Sequence, residues 1–108
     1  MFAVIYRSKV KNDKEKLFLK KWKVIADYFI KHRGALGSSL HKTDDGLWIA
    51  YSRWPTRAAR DASWGDKKEV LPEEITHAVE CLKTCQEEQY PEICMEVIED
   101  LLIKYNNS

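Results

Sequence analysis

Between Val10 and Glu15 the spacing of the apolar residues changes, and that change limits the possible folds more than any other feature of the chain. In "FAVIYRSKV", Phe2 to Val10, β-branched and aromatic residues dominate. Phe2, Val4, Tyr6 and Val10 share one face under period-two alternation, which predicts a strand. In "KNDKEKLFLKKWKVIADYFIKHRG" the apolar residues Phe18, Trp22, Ile25 and Phe29 recur at helical spacing with lysines between them. Asn12 and Glu15 are spaced as in a capping box, and Gly34 stands where a left-handed C-terminal cap belongs. A helix is therefore expected over about residues 13–33.

The rest of the chain alternates in the same way. Residues 35–42 read as a second strand, "TDDG" at 43–46 supplies turn residues, and "LWIAYSRW" at 47–54 is a third β-rich run, so the segment predicts a hairpin. Pro55 ends that strand, and Thr56 is placed to cap a short helix, "RAARDASW". "GDKKEV" at 65–70 reads as a polar loop. Pro72, at a first helical position, opens "PEEITHAVECLKTCQEE", in which Ile75, Ala78, Val79 and Leu82 form one apolar stripe. "EICMEVIEDLLIKY" fits either period: Met95, Val97, Leu101 and Ile103 alternate, while Val97, Ile98, Leu101 and Leu102 fit a helix. We read it as a strand, because a fourth strand covers an edge that three would leave open. The expected fold class is α+β: a ferredoxin-like βαββαβ unit with a four-stranded antiparallel sheet and helices on one sheet face. Apolar residues on both strand faces suggest that the second face is buried against an identical subunit.

Bulk properties narrow the function. A chain of 108 residues fits a single domain, 1–108. Eighteen basic against seventeen acidic residues leave a net charge of +1, so the field that drives nonspecific nucleic-acid binding is missing. Lys14, Lys16, Lys20, Lys21 and Lys23 interleave with Leu17, Phe18 and Trp22, as on a solvated helix face. No apolar run is long enough to span a membrane, and "MFAVIYR" is no signal peptide, so neither nucleic acid nor membrane is an expected partner and a cytoplasmic location is. The three cysteines are expected to be reduced thiols.

The element order, "FAVIYRSKV", the lysine- and aromatic-rich helix and "HRGALGSSLHKTDDGLWIAYSRWPTRAARDASW" together resemble the antibiotic biosynthesis monooxygenase family of dimeric α/β-barrel proteins. The last of these segments resembles a subgroup of uncharacterised bacterial members, and haem-degrading monooxygenases are also related. The resemblance covers most of the chain. It implies a pocket between helices and sheet, oxygen chemistry on aromatic or quinol-like substrates without metal or organic cofactor, and dimerisation through the sheets. The haem-degrading branch uses an asparagine on its first strand, a tryptophan after the third strand and a histidine beyond it. The matching places here are Tyr6, Trp64 and His77, with the asparagine replaced.

Several constellations have a structural reading beside the chemical one. His77, Cys81 and Cys85 recur every fourth residue, but at ~1.5 Å rise per residue the outer two lie about 12 Å apart, too far to share one ion. His77 also lies well away from the centre of the Ile75, Val79 and Leu82 stripe, so it faces outward or an edge, and Cys85 flanks the stripe as a small buried hydrophobe. His32 belongs to the last turn of the first helix, where a cation is favoured, and His41 reads as an exposed cross-strand partner of Arg53 or Tyr51. Four tryptophans and five tyrosines suit a pocket for a flat ring as well as core packing.

No catalytic triad order, paired carboxylates, phosphate-cradling loop or CxxC pair is present. The expected site consists of Tyr6, Trp64 and His77 as catalytic residues, with Trp22 and Tyr51 contacting the substrate. The expected activity is cofactor-independent monooxygenation of a small aromatic or quinol-like molecule by a homodimer. The alternatives are a noncatalytic ligand-binding or stress-related protein and, behind it, haem binding.

Overall fold

The computed structural model describes residues 1–64 and 71–103. Strand β1 (Phe2–Val10) leads through a one-turn 3-10 helix (Asn12–Lys14) into α1 (Glu15–His32), then β2 (Gly37–Lys42), β3 (Trp48–Trp54), α2 (Arg57–Ser63), α3 (Glu73–Thr84), β4 (Gln86–Gln89) and β5 (Ile93–Glu96). The sheet is antiparallel in the order β2-β3-β1-β4, with β5 also paired to β1. That is the expected ferredoxin-like order.

β1 carries the sheet on both edges. One edge pairs with β3 from Phe2↔Trp54 to Ser8↔Trp48. The other takes β4 at Ser8–Val10 and β5 at Phe2–Ile5, so the last two strands share one sheet position. Between them Tyr90 N–H donates to the Arg7 carbonyl at 3.0 Å, and Arg7 Nη2 donates to the Pro91 carbonyl at 3.2 Å. Proline has no N–H to give a ladder, so the edge breaks there without separating.

Phe2, Val4, Tyr6, Ser8 and Val10 form the helix-facing side of β1, as the alternation predicts. Phe2 and Val4 join Phe29, Ala35, Trp54 and Ile75 in one buried cluster; Val10, Phe18 and Cys85 form a second. The stripe of α1 reaches these clusters through Phe18 and Phe29, and that of α3 through Ile75, with Val79 and Leu82 packed against them. The turn after β2 closes when Thr43 N–H donates to the Leu47 carbonyl at 2.8 Å and Leu47 N–H to Thr43 Oγ1 at 2.9 Å. Gly46 takes φ +91, a conformation that a side chain would strain. α2 begins at the Thr56 cap, whose Oγ1 accepts from Ala59 N–H at 3.0 Å.

Several boundaries differ from expectation. Asn12 forms no capping box: it lies in the 3-10 turn, and α1 starts at Glu15 without a side-chain cap. A backbone bond from Lys11 N–H to the Cys85 carbonyl at 2.9 Å ties that entry to the end of α3. At the other end of α1, Ala35 N–H donates back to the Phe29 carbonyl at 3.1 Å past Gly34 at φ +83. β2 starts at Gly37 and not at Ala35. Pro72 precedes α3 in an extended conformation, its carbonyl accepting from Ile75 and Thr76 at 3.0 Å each.

The third helix stops at Thr84, and β4 (Gln86–Gln89) takes as strand the residues 86–88 expected in that helix. The final strand ends at Glu96 although its alternation continues to Ile103. Glu96 already pairs with Phe2 and Val97 N–H reaches the Met1 carbonyl at 2.9 Å, so β1 offers no further backbone. Ile98, Leu101, Leu102 and Ile103 follow without regular structure and are exposed. The expected loop at 65–70 lies outside the described residues.

Phe29 joins the first cluster to the aromatic wall of the site. Replacing it with alanine is expected to cost about 3–5 kcal/mol in urea unfolding. Thr56→Ala is expected to cost about 1 kcal/mol and to lower hydrogen-exchange protection over Arg57–Ser63, with Thr56→Ser retaining most of both.

Candidate functional site

Helices α1 and α3 do not close completely on the sheet. Between them and the helix-facing side of β1 and β3 lies a cavity of about 550 Å³. Its walls come from the same periodicities that build the fold. α1 contributes Phe18, Trp22 and Phe29 from its apolar stripe, and β3 contributes Trp48, Ala50, Ser52 and Trp54 from alternate positions. Trp64, just beyond α2, completes the wall, its ring 4.6 Å from that of Phe29. All four tryptophans of the chain therefore line one space. Trp48 meets Phe18 edge-on at 5.4 Å and Trp54 meets Phe29 edge-on at 6.3 Å, which fixes the rings while leaving faces and edges toward the cavity.

The polar side of the cavity gathers where α2 passes over β1 and the break in the edge strand. Arg60 Nη2 donates to Tyr6 Oη at 3.4 Å and forms an ion pair with Glu92 Oε2. Burial disfavours the Arg60 charge, but the hydrogen bonds to Tyr6 and Glu92 outweigh that penalty and hold the guanidinium above its ordinary value. It is a fixed cation. Because Arg60 donates to the Tyr6 oxygen, the phenolic proton of Tyr6 is available to another acceptor. Tyr90, also in the lining, has its phenol pushed up by its hydrogen bond to Glu88.

Five residues of this lining each carry a buried donor-bearing group with no hydrogen-bond partner among the described residues: Arg7 Nε, Trp48 Nε1, Ser52 Oγ, Trp54 Nε1 and Arg60 Nε. Indole and guanidinium nitrogens only donate. A buried donor left unpaired costs about 1–3 kcal/mol.

The structure brings together three of the five residues singled out in the sequence. Tyr6, Trp22 and Trp64 line the cavity. Tyr51 does not: it pairs with Ile5, while Tyr6 pairs with Ala50, so the two tyrosines point to opposite sheet faces. His77 does not either. It is exposed on α3, away from the buried Ile75 and Ala78, as its helical phase predicts, and it takes no part in the lining.

His41 pairs across the strands with Ile49, not with Arg53 or Tyr51, and its Nε2 lies 2.8 Å from Ser39 Oγ. His32 is exposed in the last turn of α1, its ring 5.1 Å from that of Tyr28. Cys85 is fully buried, and burial together with the neighbouring Cys81 pushes its thiol pKa up, as suits a packing residue.

Sequence reasoning missed Trp48, Ser52, Trp54, Arg60 and Glu92. The strand residues had a signal, since positions 48, 50, 52 and 54 share a face under the alternation that was applied to β1. The pair of Arg60 and Glu92 had none, being separated by 32 positions.

Among the described residues, no group of three or more His, Cys, Asp or Glu is placed to hold a metal ion, and no helix is long and apolar enough to cross a membrane. The chain aligns over 92% of its length with the whole of a solved antibiotic biosynthesis monooxygenase, at 19% identity and TM-score 0.72. A Nitrosomonas europaea protein described as belonging to the same class aligns with 92% of this chain over its full length, at 15% identity and TM-score 0.73. A variant of SnoaB, a cofactor-independent oxygenase from Streptomyces nogalater, aligns over 93% of this chain and 95% of its own, at 13% identity and TM-score 0.72. At these identities the likeness is one of fold. No curated protein matches the chain. The sequence profile of the antibiotic biosynthesis monooxygenase family matches residues 1–66, which carry β1, α1, the hairpin and α2, and the chain belongs to that family.

Proposed function

We propose that the chain is a cofactor-independent monooxygenase whose substrate is a small aromatic or quinol-like molecule held in the cavity between helices and sheet. The observation that carries this reading is the lining: four tryptophans around a space of about 550 Å³, with the Tyr6 hydroxyl and the Arg60 cation on one side. Indole faces bind a flat ring by stacking, and the few polar groups orient it. In this reading an electron-rich phenol or hydroquinone is held as its anion and itself reduces dioxygen. A carbon–oxygen bond forms to give a hydroperoxide, which loses water to leave a carbonyl, so one oxygen atom stays in the product and the other leaves as water. The protein supplies positioning, exclusion of water and hydrogen bonds to the developing negative oxygen. Tyr6 is the hydroxyl donor; Trp22 and Trp64 hold the ring.

Family and fold are those of a monooxygenase-like or small-molecule-binding domain, and binding without turnover is the competing function. A haem-binding reading finds no histidine in this wall: His32, His41 and His77 are all exposed and outside it. We further place the protein in the cytoplasm as a homodimer joined through the sheet face opposite the helices. Ile5, Ile49, Tyr51 and Met95 are half-buried on that face and Ile93 is 39% exposed there.

Oxygen consumption across a panel of phenols and quinols tests turnover. Substrate-dependent uptake is expected, with Tyr6→Phe lowering kcat/KM about a hundredfold through loss of one donor to the oxyanion. Trp64→Ala is expected chiefly to raise KM. Ring binding, seen as tryptophan quenching, without any oxygen uptake would assign the protein to the noncatalytic function. For the assembly, light scattering at micromolar concentration is expected to give twice the 12.7 kDa chain mass, and a monomer mass would exclude the dimer.

A further inference from the structure

We infer that Arg60 is a positioning residue for Tyr6: its Nη2 takes up the Glu92 carboxylate and donates to the Tyr6 oxygen, which keeps the phenolic proton off Glu92 and leaves it for an acceptor in the cavity. Arg60 itself holds no ligand. The inference rests on the reading of the cavity as a site for flat, oxygen-bearing rings, and it adds the reason that Tyr6 can act there as a donor.

The strand register brings the groups together. Phe2, Val4 and Ile5 pair with Glu96, Cys94 and Ile93 in an antiparallel ladder. One step beyond the Ile5↔Ile93 pair, the same register sets Glu92 beside Tyr6, both at positions that face the helices. The chain around Glu92 is held on both sides, by the Ile93 pairing and by Tyr90 N–H, which donates to the Arg7 carbonyl at 3.0 Å. A phenol and a carboxylate on neighbouring strands of one face are natural partners. A hydrogen bond to a carboxylate is roughly twice as strong as one between neutral groups, so Glu92 would take the Tyr6 proton ahead of a ligand carbonyl. The same edge shows that outcome at Tyr90, whose hydroxyl donates to Glu88 Oε2 at 3.1 Å. There the cation, Arg7, stacks over the ring at 5.6 Å and leaves the hydroxyl to the carboxylate.

At Tyr6 the cation is placed differently. Arg60, with a side chain 14% exposed, reaches over from α2, and its Nη2 donates to Tyr6 Oη at 3.4 Å and to Glu92 Oε2. Among the described residues no hydrogen bond links Tyr6 to Glu92, and the Tyr6 hydroxyl has no partner but Arg60. A guanidinium has no lone pair with which to accept, so the phenolic proton cannot turn back to Arg60. The other charged group on Arg60 is Asp61, the next residue of the helix, 3.4 Å from Nη1 and 57% exposed at its side chain. It engages a different nitrogen and leaves the bridge between Tyr6 and Glu92 intact. Glu92 is the one carboxylate of the described lining, which makes it the competitor that Arg60 has to occupy.

The test uses indanone and indane, which share a ring frame and differ by a carbonyl in place of a methylene. Binding is followed by the change in tryptophan fluorescence. The wild-type chain is expected to bind indanone about fivefold more tightly than indane, the worth of one neutral hydrogen bond. Tyr6→Phe is expected to abolish that preference. Arg60→Met is expected to abolish it too, although the Tyr6 hydroxyl is still present, because Glu92 then takes its proton. Adding Glu92→Leu to Arg60→Met is expected to bring the preference back, a recovery that a merely structural role of Arg60 would not give.

Glu92→Gln alone leaves Arg60 on the Tyr6 oxygen and is expected to keep the preference, which provides a test even if Arg60→Met does not fold. A preference that survives Arg60→Met, that is not regained on adding Glu92→Leu in a chain still binding indane, or that is lost in Glu92→Gln would overturn the role of Arg60 while leaving the cavity a ring-binding site. Equal affinity of the wild-type chain for the two rings, or a preference kept by Tyr6→Phe, would show that Tyr6 is not the donor and remove the inference. Failure of both rings to bind the wild-type chain would overturn the ring-binding reading and the inference with it.

Discussion

The rest of the structure depends on β1 being paired along both edges. Its nine residues hold β3 on one side and the β4–β5 position on the other, and its alternation decides what each face of the sheet meets. The even-numbered residues put Phe2 and Val4 under the helices and Tyr6 into the cavity; the odd-numbered residues put Ile5 on the opposite face. A one-residue shift in pairing would exchange these sets. The position of Tyr6 opposite Ala50, and therefore its contact with Arg60, is a consequence of the strand register. The break at Tyr90–Glu92 follows from the same strand. Arg7 anchors Pro91 by its side chain, and that places Glu92 where it meets α2.

How much could be read from the chain alone depended on the range of the interaction involved. α1 was legible because Phe18, Trp22, Ile25 and Phe29 encode a face locally, and the hairpin because Thr43 and Gly46 encode a turn locally. β4 was not legible: "QEEQ" has no apolar alternation to show, since it is an edge held by backbone pairing to β1 and exposed at Glu87, Glu88 and Gln89. Polar residues at such an edge also discourage pairing with other chains. "EICMEVIEDLLIKY" misled in the opposite direction. Its alternation continues past the end of the strand it would need to pair with, and a ladder can be no longer than its partner.

The candidate site divides in the same way. Trp22 was visible because a helix stripe that builds a core also points at any space left in that core. Tyr51 was misplaced because strand propensity does not say which face a residue takes; only the pairing Ile5↔Tyr51 does. His77 illustrates the competition between likeness and phase. Its place in the chain suggested the histidine of a related branch, whereas its helical angle put it outside, and the angle prevailed because Ile75 and Ala78 must be buried for α3 to pack at all. Arg60 and Glu92 depend on a contact between α2 and a strand break that no local pattern announces.

The cavity also explains why the buried residues form two clusters and not one. Phe29, Ala35 and Trp54 belong to the first cluster and Phe18 to the second, and all four line the space. A chain of this length has little apolar surface to spare, and interiors ordinarily close to crystal-like density. Closing this one would require repacked side chains at Trp22, Trp48 and Trp54; instead the chain keeps bulky rings whose N–H groups at 48 and 54 find no partner among the described residues. Apolar residues of similar volume would spare the desolvation cost of those groups. An arrangement that is poor for packing and short of acceptors is the arrangement expected where stability is set against binding. Among the described residues, Trp48 and Trp54 thus combine ring packing with indole N–H groups that this packing leaves unsatisfied.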